Sequence, residues 1–354
     1  MRSSNVSGAD KPDGGYGAGP DDATGDATAG RVSVVMAVRN GAPFLSETLS
    51  SLEAQTWPVF EFVAVDDGSE DETSSVLAAH AATATALRPV TVRRTDGLGL
   101  AGARNLAVDA ARGDLILVLD GDDVLSPSLI ETMRERMMRT PPVGFAFPVF
   151  EHVDADTVPL GVRSRPPKRP LTAARILKAN PVHSDSGVMV RTAALAAVGP
   201  FDEALSGCIG LDYWMRVLGA GWQADCVPGA RVLYRRSGGQ ITADPLRMEA
   251  NFGRVLTKAK DAGLVSTGAA REALAAQRLY WASLAYAREE HAAARAYTAA
   301  AWRSAFGAMV RTPYAYTRGA ISIASLLPAP LHQGLKHAAF GLMRRARTLV
   351  DSRR

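Results

Sequence analysis

Asp120, Asp122 and Asp123 fall within four residues, directly after the unbroken apolar run Leu115-Ile116-Leu117-Val118-Leu119. Carboxylates this close repel one another unless a cation or hydrogen-bond donors offset their charge. Hard oxygen ligands of this kind suit Mg2+ or Mn2+, above all where substrate phosphates complete the shell. The plainer use of an Asp here is a helix N-cap, since Ser126-Pro127 opens a helix shortly after; capping accounts for one carboxylate and not three. A second acidic pair, Asp66-Asp67, ends the stretch Phe60 to Val65 and runs into Gly68-Ser69. Taken alone, that pair reads as a turn and cap.

These acids can act together only if strands deliver them to one place. A short, unbroken apolar run fits a strand buried on both faces, as in a parallel sheet. The pattern predicts such strands at Val32 to Val38, Phe60 to Val65, Val90 to Val92 and Leu115 to Leu119. Between them, Phe44, Leu45, Leu49 and Leu52 keep a helical period. Val76 and Leu77 face inward on a helix capped by Ser69 or Asp71, and a third helix runs from Leu98 to Ala111. This alternation predicts an α/β fold with a doubly wound, mostly parallel sheet. Ligands of such sheets bind beyond the carboxyl ends of the strands, where both acidic clusters fall. Further strands are expected at Phe145 to Phe150, Gly187 to Val190 and Ala230 to Tyr234, with a helix from Leu211 to Gly219 and a loop from Pro159 to Pro170. Beyond about residue 245 the chain is Ala-rich and reads as all helix, with Leu274, Leu279, Trp281, Leu284, Tyr286, Tyr297 and Trp302 suited to a helical hairpin. Three regions follow: 1–30, poor in large apolar residues and expected to be disordered; 31–243, the sheet domain; and 244–354, a C-terminal helical appendage with a basic, amphipathic end.

The chain has 354 residues, 47% of them hydrophobic, enough for a substantial core. Its net charge of +4 is mild, and Arg344, Arg345, Arg347, Arg353 and Arg354 crowd the C-terminus. No face mixes basic and aromatic residues as a nucleic-acid surface would, so no nucleic-acid partner is expected. Cys208 and Cys226 lack metal-ligand spacing and make no disulfide framework. With no apolar leader at the N-terminus and no run of about 18 apolar residues, a cytoplasmic location is expected. Leu331, Leu335, Ala339, Leu342, Met343, Ala346 and Leu349 recur in steps of three and four beside Lys336, Arg344, Arg345 and Arg347. That stripe suits either packing on the preceding helices or peripheral contact with an anionic membrane at its inner face.

Several segments together resemble the inverting glycosyltransferases of family 2, which have the GT-A fold. VSVVMAVRNGAPFLSETLSSLEAQTW resembles that family's opening strand, turn and helix, and FEFVAVDDGSEDET its second strand and nucleotide-binding acids. GLGLAGARNLAVDAARGDLILVLDGDDVLSP resembles the stretch ending in its D-x-D metal motif. GPFDEAL and LDYWMRVLGAGW resemble its acceptor-side half. The likeness runs from about 32 to 240. It implies a nucleoside diphosphate sugar donor, Mn2+ or Mg2+ as cofactor, and a polysaccharide, lipid-linked or small-molecule acceptor. It further implies that Ala37, Val38 and Arg39 border the nucleotide base and that Asp67, with Asp66, accepts a hydrogen bond from the base edge. By the same likeness Arg104 faces the diphosphate region, Asp120 contacts the ribose or the metal shell, and Asp122 and Asp123 hold the metal.

One departure bears on activity. Inversion at an anomeric carbon needs a base near the acceptor hydroxyl, and the family usually supplies it from a Glu-Asp pair just before a helix. Here Ile209-Gly210 stands in that place. Asp212, two residues on, is the expected base; Asp185 and His183 are other candidates. Two further departures are Arg39, where the family has an aromatic, and Arg235-Arg236-Ser237, which lacks the family's His. Three functions are therefore weighed. The first is a transferase moving a single sugar. The second is a sugar-nucleotide-binding relative with impaired catalysis. The third, a nucleotidyltransferase, lacks its glycine-rich activating loop.

Overall fold

The computed structural model describes residues 30–84, 89–168, 170–236 and 244–309. Its first half alternates β1 (Val32–Val38), α1 (Ala42–Glu53), β2 (Glu61–Asp67), α2 (Thr73–Thr83), β3 (Val90–Thr95), α3 (Gly99–Ala110) and β4 (Leu115–Leu119). Every residue of β1, β2 and β4 is buried, as expected of parallel strands covered on both faces. The α1 helix opens with Pro43 in its first turn and turns Leu45, Leu49 and Leu52 onto the sheet. Strand order in this half is β3-β2-β1-β4, all parallel. The chain thus winds outward to one side through β3 and returns to the other side of β1 at β4. That reversal opens a crevice at the carboxyl ends of β1 and β4.

The second half comprises β5 (Val124–Leu125), α4 (Leu129–Arg139), β6 (Val143–Val153), β7 (Pro159–Arg163), α5 (Ala173–Lys178), β8 (Met189–Arg191), α6 (Thr192–Val198), α7 (Ile209–Gly219) and β9 (Gln223–Arg235). The sheet continues from β4 through β8, β6, β9 and β5. Because β8 is antiparallel to both β4 and β6, and β9 is parallel to β6, the strands β1 to β4, β6 and β9 run one way. The sheet is therefore mostly parallel.

The stretch from Pro159, expected as a loop, begins instead with a strand. β7 folds back on β6 in a hairpin, with Arg163 opposite Glu151 and Pro159 opposite Val153. Asp154 holds the turn, its Oδ1 accepting the amides of Asp156 (3.0 Å) and Val158 (2.9 Å). Val158, Leu160 and Val162 do alternate, but Pro159 and Gly161 interrupt them. Pro is tolerated here because it stands first in an edge strand.

Three helices follow: α8 (Pro245–Asp261), α9 (Thr267–Ala287) and α10 (His291–Met309). Asp244 caps α8 by accepting from the amides of Leu246 and Arg247, and Ser266 caps α9. Phe252, Trp281 and Tyr297 pack edge to face and tilted across the three, so the expected hairpin forms with α8 against it. No helix among the described residues is long and apolar enough to cross a membrane. The stripe from Leu331 to Leu349, and the segment preceding Gly30, lie outside the described residues.

One buried carboxylate staples the parallel half. Glu61, at the start of β2, accepts from the Ser33 hydroxyl of β1 (2.6 Å) and from the Arg112 amide (2.5 Å) and guanidinium before β4. Burial pushes the Glu61 carboxyl up, but Ser33 and Arg112 outweigh it and hold it below the ordinary glutamate value of 4.5. A depressed folded-state value means that the contribution is full above that ordinary value and is lost as pH falls through the folded one. The urea midpoint of Glu61→Gln should therefore lie below that of the parent at pH 7, and the gap should narrow as pH falls below about 4.5. A gap independent of pH would show that the charge contributes nothing.

Candidate active site

The site is assembled at the carboxyl ends of β1, β2 and β4. Leaving β1, the chain turns at Asn40, whose φ of 53° is left-handed. The turn is tied to the one after β2: the Asn40 amide donates to Ser69 Oγ (2.9 Å), the Glu70 amide to Asn40 Oδ1 (2.9 Å) and the Gly41 amide to Thr73 Oγ1 (2.8 Å). Ala37 and Val38 are buried, and Arg39 points out toward Glu70 at 3.7 Å. The two acids ending β2 are engaged by the fold itself. Asp66 accepts from the Ser69 amide (3.0 Å) and the Ser74 hydroxyl. Burial raises its carboxyl, and the donors from Ser69 and Ser74, with Arg94, more than reverse that. Asp67 accepts from Thr95 Oγ1 (2.7 Å) and from the amides of Leu98 (2.6 Å) and Gly99 (2.9 Å), which fixes the entry to α3.

The acids after β4 are held differently. Asp120 accepts from Arg104 Nη2 (2.7 Å) and Ser184 Oγ (3.2 Å). Gly121 lets the next turn close over β1, because a Cβ there would lie 2.7 Å from Val38 Cγ2. Asp123 is fully buried; its Oδ1 accepts the Arg235 amide (3.0 Å), and its Oδ2 has no hydrogen-bond partner. Burial and the charges of Asp122 and Asp120 push the Asp123 carboxyl well above the usual range. Burial, with Asp120, raises Asp122 to about 6. An orphaned buried oxygen beside a second strained carboxylate fits a cation held by two protein ligands. Among the described residues no group of three or more His, Cys, Asp or Glu side chains is arranged to hold an ion. The rest of the shell would therefore come from phosphate and water, as is usual for Mg2+ and Mn2+.

Two arginines flank this loop. Arg104, on α3 and 3% exposed, donates through Nη2 to Asp120 and through Nη1 to Asp185 (2.5 Å). Burial disfavours its charge, and the two carboxylates more than offset that. Arg235 ends β9 fully buried. It donates to the Asp122 carbonyl (2.8 Å), the Ala155 carbonyl (2.6 Å), Thr157 Oγ1 (2.9 Å) and Glu47 Oε2 (2.6 Å), and lies over the Phe44 ring. Arg235 is therefore not a surface cation: its side chain braces the acidic loop from behind. The sequence signal was faint, a cation at the end of an apolar strand in a chain with three clustered acids.

On the acceptor side the expected base is not brought to the acids. Asp212 faces the interface between α7 and α8, bound to Arg216 Nε (2.9 Å) and Lys258 Nζ (2.7 Å). It lines a small cavity there with Met215 and Val255. His183 packs against the rings of Phe150 and His152, and burial holds it below the usual histidine range. Asp185 does reach the site, through Arg104. Trp214 of α7 is fully buried and donates its indole N–H to Asp185 Oδ1 (3.1 Å).

A switch-point crevice with acids on β2 and β4 and a mixed second half defines the GT-A class of nucleotide-sugar transferase folds. TarS 1-349 from S. aureus, in complex with UDP-GlcNAc, shares this architecture with a TM-score of 0.59 at 17% identity, over 87% of this chain and 91% of TarS 1-349. The mannosyltransferase PcManGT from Pyrobaculum calidifontis, in complex with GDP-Man and Mn2+, gives a TM-score of 0.55 at 19% identity, over 91% of this chain and 87% of that one. Residues 33–199 match the family described as Glycosyl transferase family 2. The UDP-Glc:alpha-D-GlcNAc-diphosphoundecaprenol beta-1,3-glucosyltransferase WfaP of Escherichia coli is 25% identical over 216 residues, 61% of this chain and 81% of WfaP. Three other curated relatives are matched over 61%, 29% and 35% of their own lengths, less than two thirds in each case.

Removing the Arg235 brace should be costly. Arg235→Leu strips the donor from four part-buried acceptors, at Asp122, Ala155, Thr157 and Glu47, and is expected to lower unfolding stability by about 2 kcal/mol, measured by urea denaturation. A change within about 0.5 kcal/mol would show that the loop is held by other contacts.

Proposed function

We propose that this chain transfers a single sugar from a nucleoside diphosphate sugar to a hydroxyl acceptor, assisted by a divalent metal at Asp122 and Asp123. The observation that carries the reading is the fully buried Asp123, with an unpartnered oxygen, beside Asp122 at the switch point of a GT-A sheet. When bound, the metal would act as a Lewis acid for the leaving diphosphate. The chain's own residues do the rest. Arg104 holds Asp120 in place next to the metal acids. Ala37, Val38 and Arg39 form the wall of the crevice on the β1 side, where the base would lie. Asp67, already bound by the amides of Leu98 and Gly99, sets the loop on the β3 side of that crevice, and Asp66 sets the turn behind it. Mn2+ and a nucleotide sugar accompany the Pyrobaculum enzyme, which supports the same pair of ligands here. WfaP's diphosphoundecaprenol acceptor supports a lipid-linked or polysaccharide acceptor for this chain. We also read 31–243 as the transferase unit and 244–354 as its helical appendage.

The second reading, donor binding without transfer, is favoured by one observation. Gly210 leaves the family's usual base position without a side chain. Release of nucleoside diphosphate from donor sugars separates the two readings.

The metal assignment is tested by Asp122→Asn and Asp123→Asn. Each should weaken Mn2+-dependent UDP binding at least about tenfold in calorimetry. Neither should lower the unfolding midpoint, because neutralising one carboxyl relieves the repulsion within the cluster and Asn keeps an oxygen for the Arg235 amide. Parent-like UDP and Mn2+ binding by both variants would place the metal elsewhere.

A further inference from the structure

The acid missing from α7 is matched by one that enters its space from another element. Gly210 stands in the first turn of α7. A Cβ built on it would lie 1.6 Å from Asp185 Oδ1, 2.3 Å from Cγ and 2.6 Å from Oδ2. The Asp185 carboxylate, from the loop before β8, therefore occupies the volume that a side chain at 210 would fill. Two donors hold it there, Trp214 Nε1 on Oδ1 (3.1 Å) and Arg104 Nη1 on Oδ2 (2.5 Å). A carboxylate has about four lone-pair positions, so each oxygen keeps one open. The side chain is 18% exposed, so solvent or an acceptor can reach it. Arg104 carries Asp120 on its other terminal nitrogen at 2.7 Å, which sets Asp185 one guanidinium away from the acids that end β4. Asp212 has no such access, since its side chain is only 3% exposed and is ion-paired to Arg216 and Lys258 where α7 meets α8.

We propose that Asp185 is the general base of the transfer, presented by the β8 loop in place of an acid on α7; the inference rests on the donor reading above. The acceptor hydroxyl oxygen attacks the anomeric carbon while its proton passes to Asp185. The bond between that carbon and the diphosphate oxygen breaks, and its electron pair leaves with the nucleoside diphosphate. Arg104 and Trp214 are positioning residues, fixing the carboxylate through its other lone pairs.

The test uses the full chain with Mn2+, UDP and GDP as binding probes, and a panel of UDP- and GDP-sugars whose hydrolysis releases nucleoside diphosphate; water then takes the acceptor's place and gives its proton to the same base. Asp185→Asn, nearly isosteric, should lower kcat at least about 100-fold. KM and UDP affinity should hold, the pattern of an interaction made only in the transition state. Gly210→Asp alone should fail because its Cβ meets Asp185. The double variant Asp185→Gly/Gly210→Asp should recover at least about tenfold over Asp185→Gly. Parent-like kcat in Asp185→Asn overturns the proposal. So does a fall in kcat matched by loss of UDP affinity, which would mean that Asp185 acts only through Arg104. A folded double variant no faster than Asp185→Gly overturns it as well, and Asp185→Asn carries the test if the double variant does not fold. A parent that binds UDP with Mn2+ but releases none from any donor removes the base and leaves the donor site standing. A parent that binds neither UDP nor GDP overturns the donor reading, and the base with it.

Discussion

A single buried guanidinium sets the geometry of this crevice. Arg104 is carried by α3 and bonds Asp120 at the end of β4 and Asp185 before β8, so three elements meet on one planar group. Its two terminal nitrogens diverge at a fixed angle, and the carboxylates they hold cannot move independently. The antiparallel approach of β8 to β4 depends on the same corner: Gly187 donates to the Val118 carbonyl at 2.7 Å and Val118 to the Val188 carbonyl at 2.9 Å. Losing Arg104 would leave two partly buried carboxylates unpaired, a far larger penalty than the net worth of the pairs themselves.

The arginines divide the negative charge of the acidic loop unevenly. Asp120 is matched by Arg104, and the backbone of the loop is matched by Arg235. At Asp122 and Asp123 burial and the neighbouring carboxylates outweigh what Arg235 offers, and both carboxyls are raised for that reason. The protein thus neutralises the acids that shape the crevice and leaves short of positive charge the two that would meet a cation. The same economy extends to β2, where Asp66 and Asp67 shape the walls through hydrogen bonds to backbone and hydroxyl donors.

What could be read from the chain tracks how local the determinant is. The apolar run before Asp120 is self-announcing, because five buried residues in a row have few other uses, and β4 has the expected limits. The strands of the first half and the helical hairpin were legible for the same reason of period and burial. β7 was not, because an exposed edge strand needs no apolar face and Pro159 and Gly161 read as loop. The face on which Asp212 lies was not legible either. It sits two residues from the usual acid position, and that step turns it toward Lys258 of α8, a residue 46 positions on. Arg235 reads as surface because charge usually is, and only the fold reveals the carbonyls of Asp122 and Ala155, Thr157 and Glu47 gathered around it. Gly210 was visible as a departure; that Asp185 fills its space is a contact between distant segments with no signature in spacing.

That contact also limits how the chain can change. Because a Cβ at 210 would lie inside the Asp185 carboxylate, even the methyl of an alanine forces Asp185 out of its present place. The two positions are therefore epistatic, and the order of substitution matters. Residue 185 must shrink, or its carboxylate leave Trp214 and Arg104, before residue 210 can grow. A lineage holding Asp at 185 and Gly at 210 that returns an acid to the helix must either lose the carboxylate at 185 first or displace it in the same step, a steric ratchet written into one missing β-carbon.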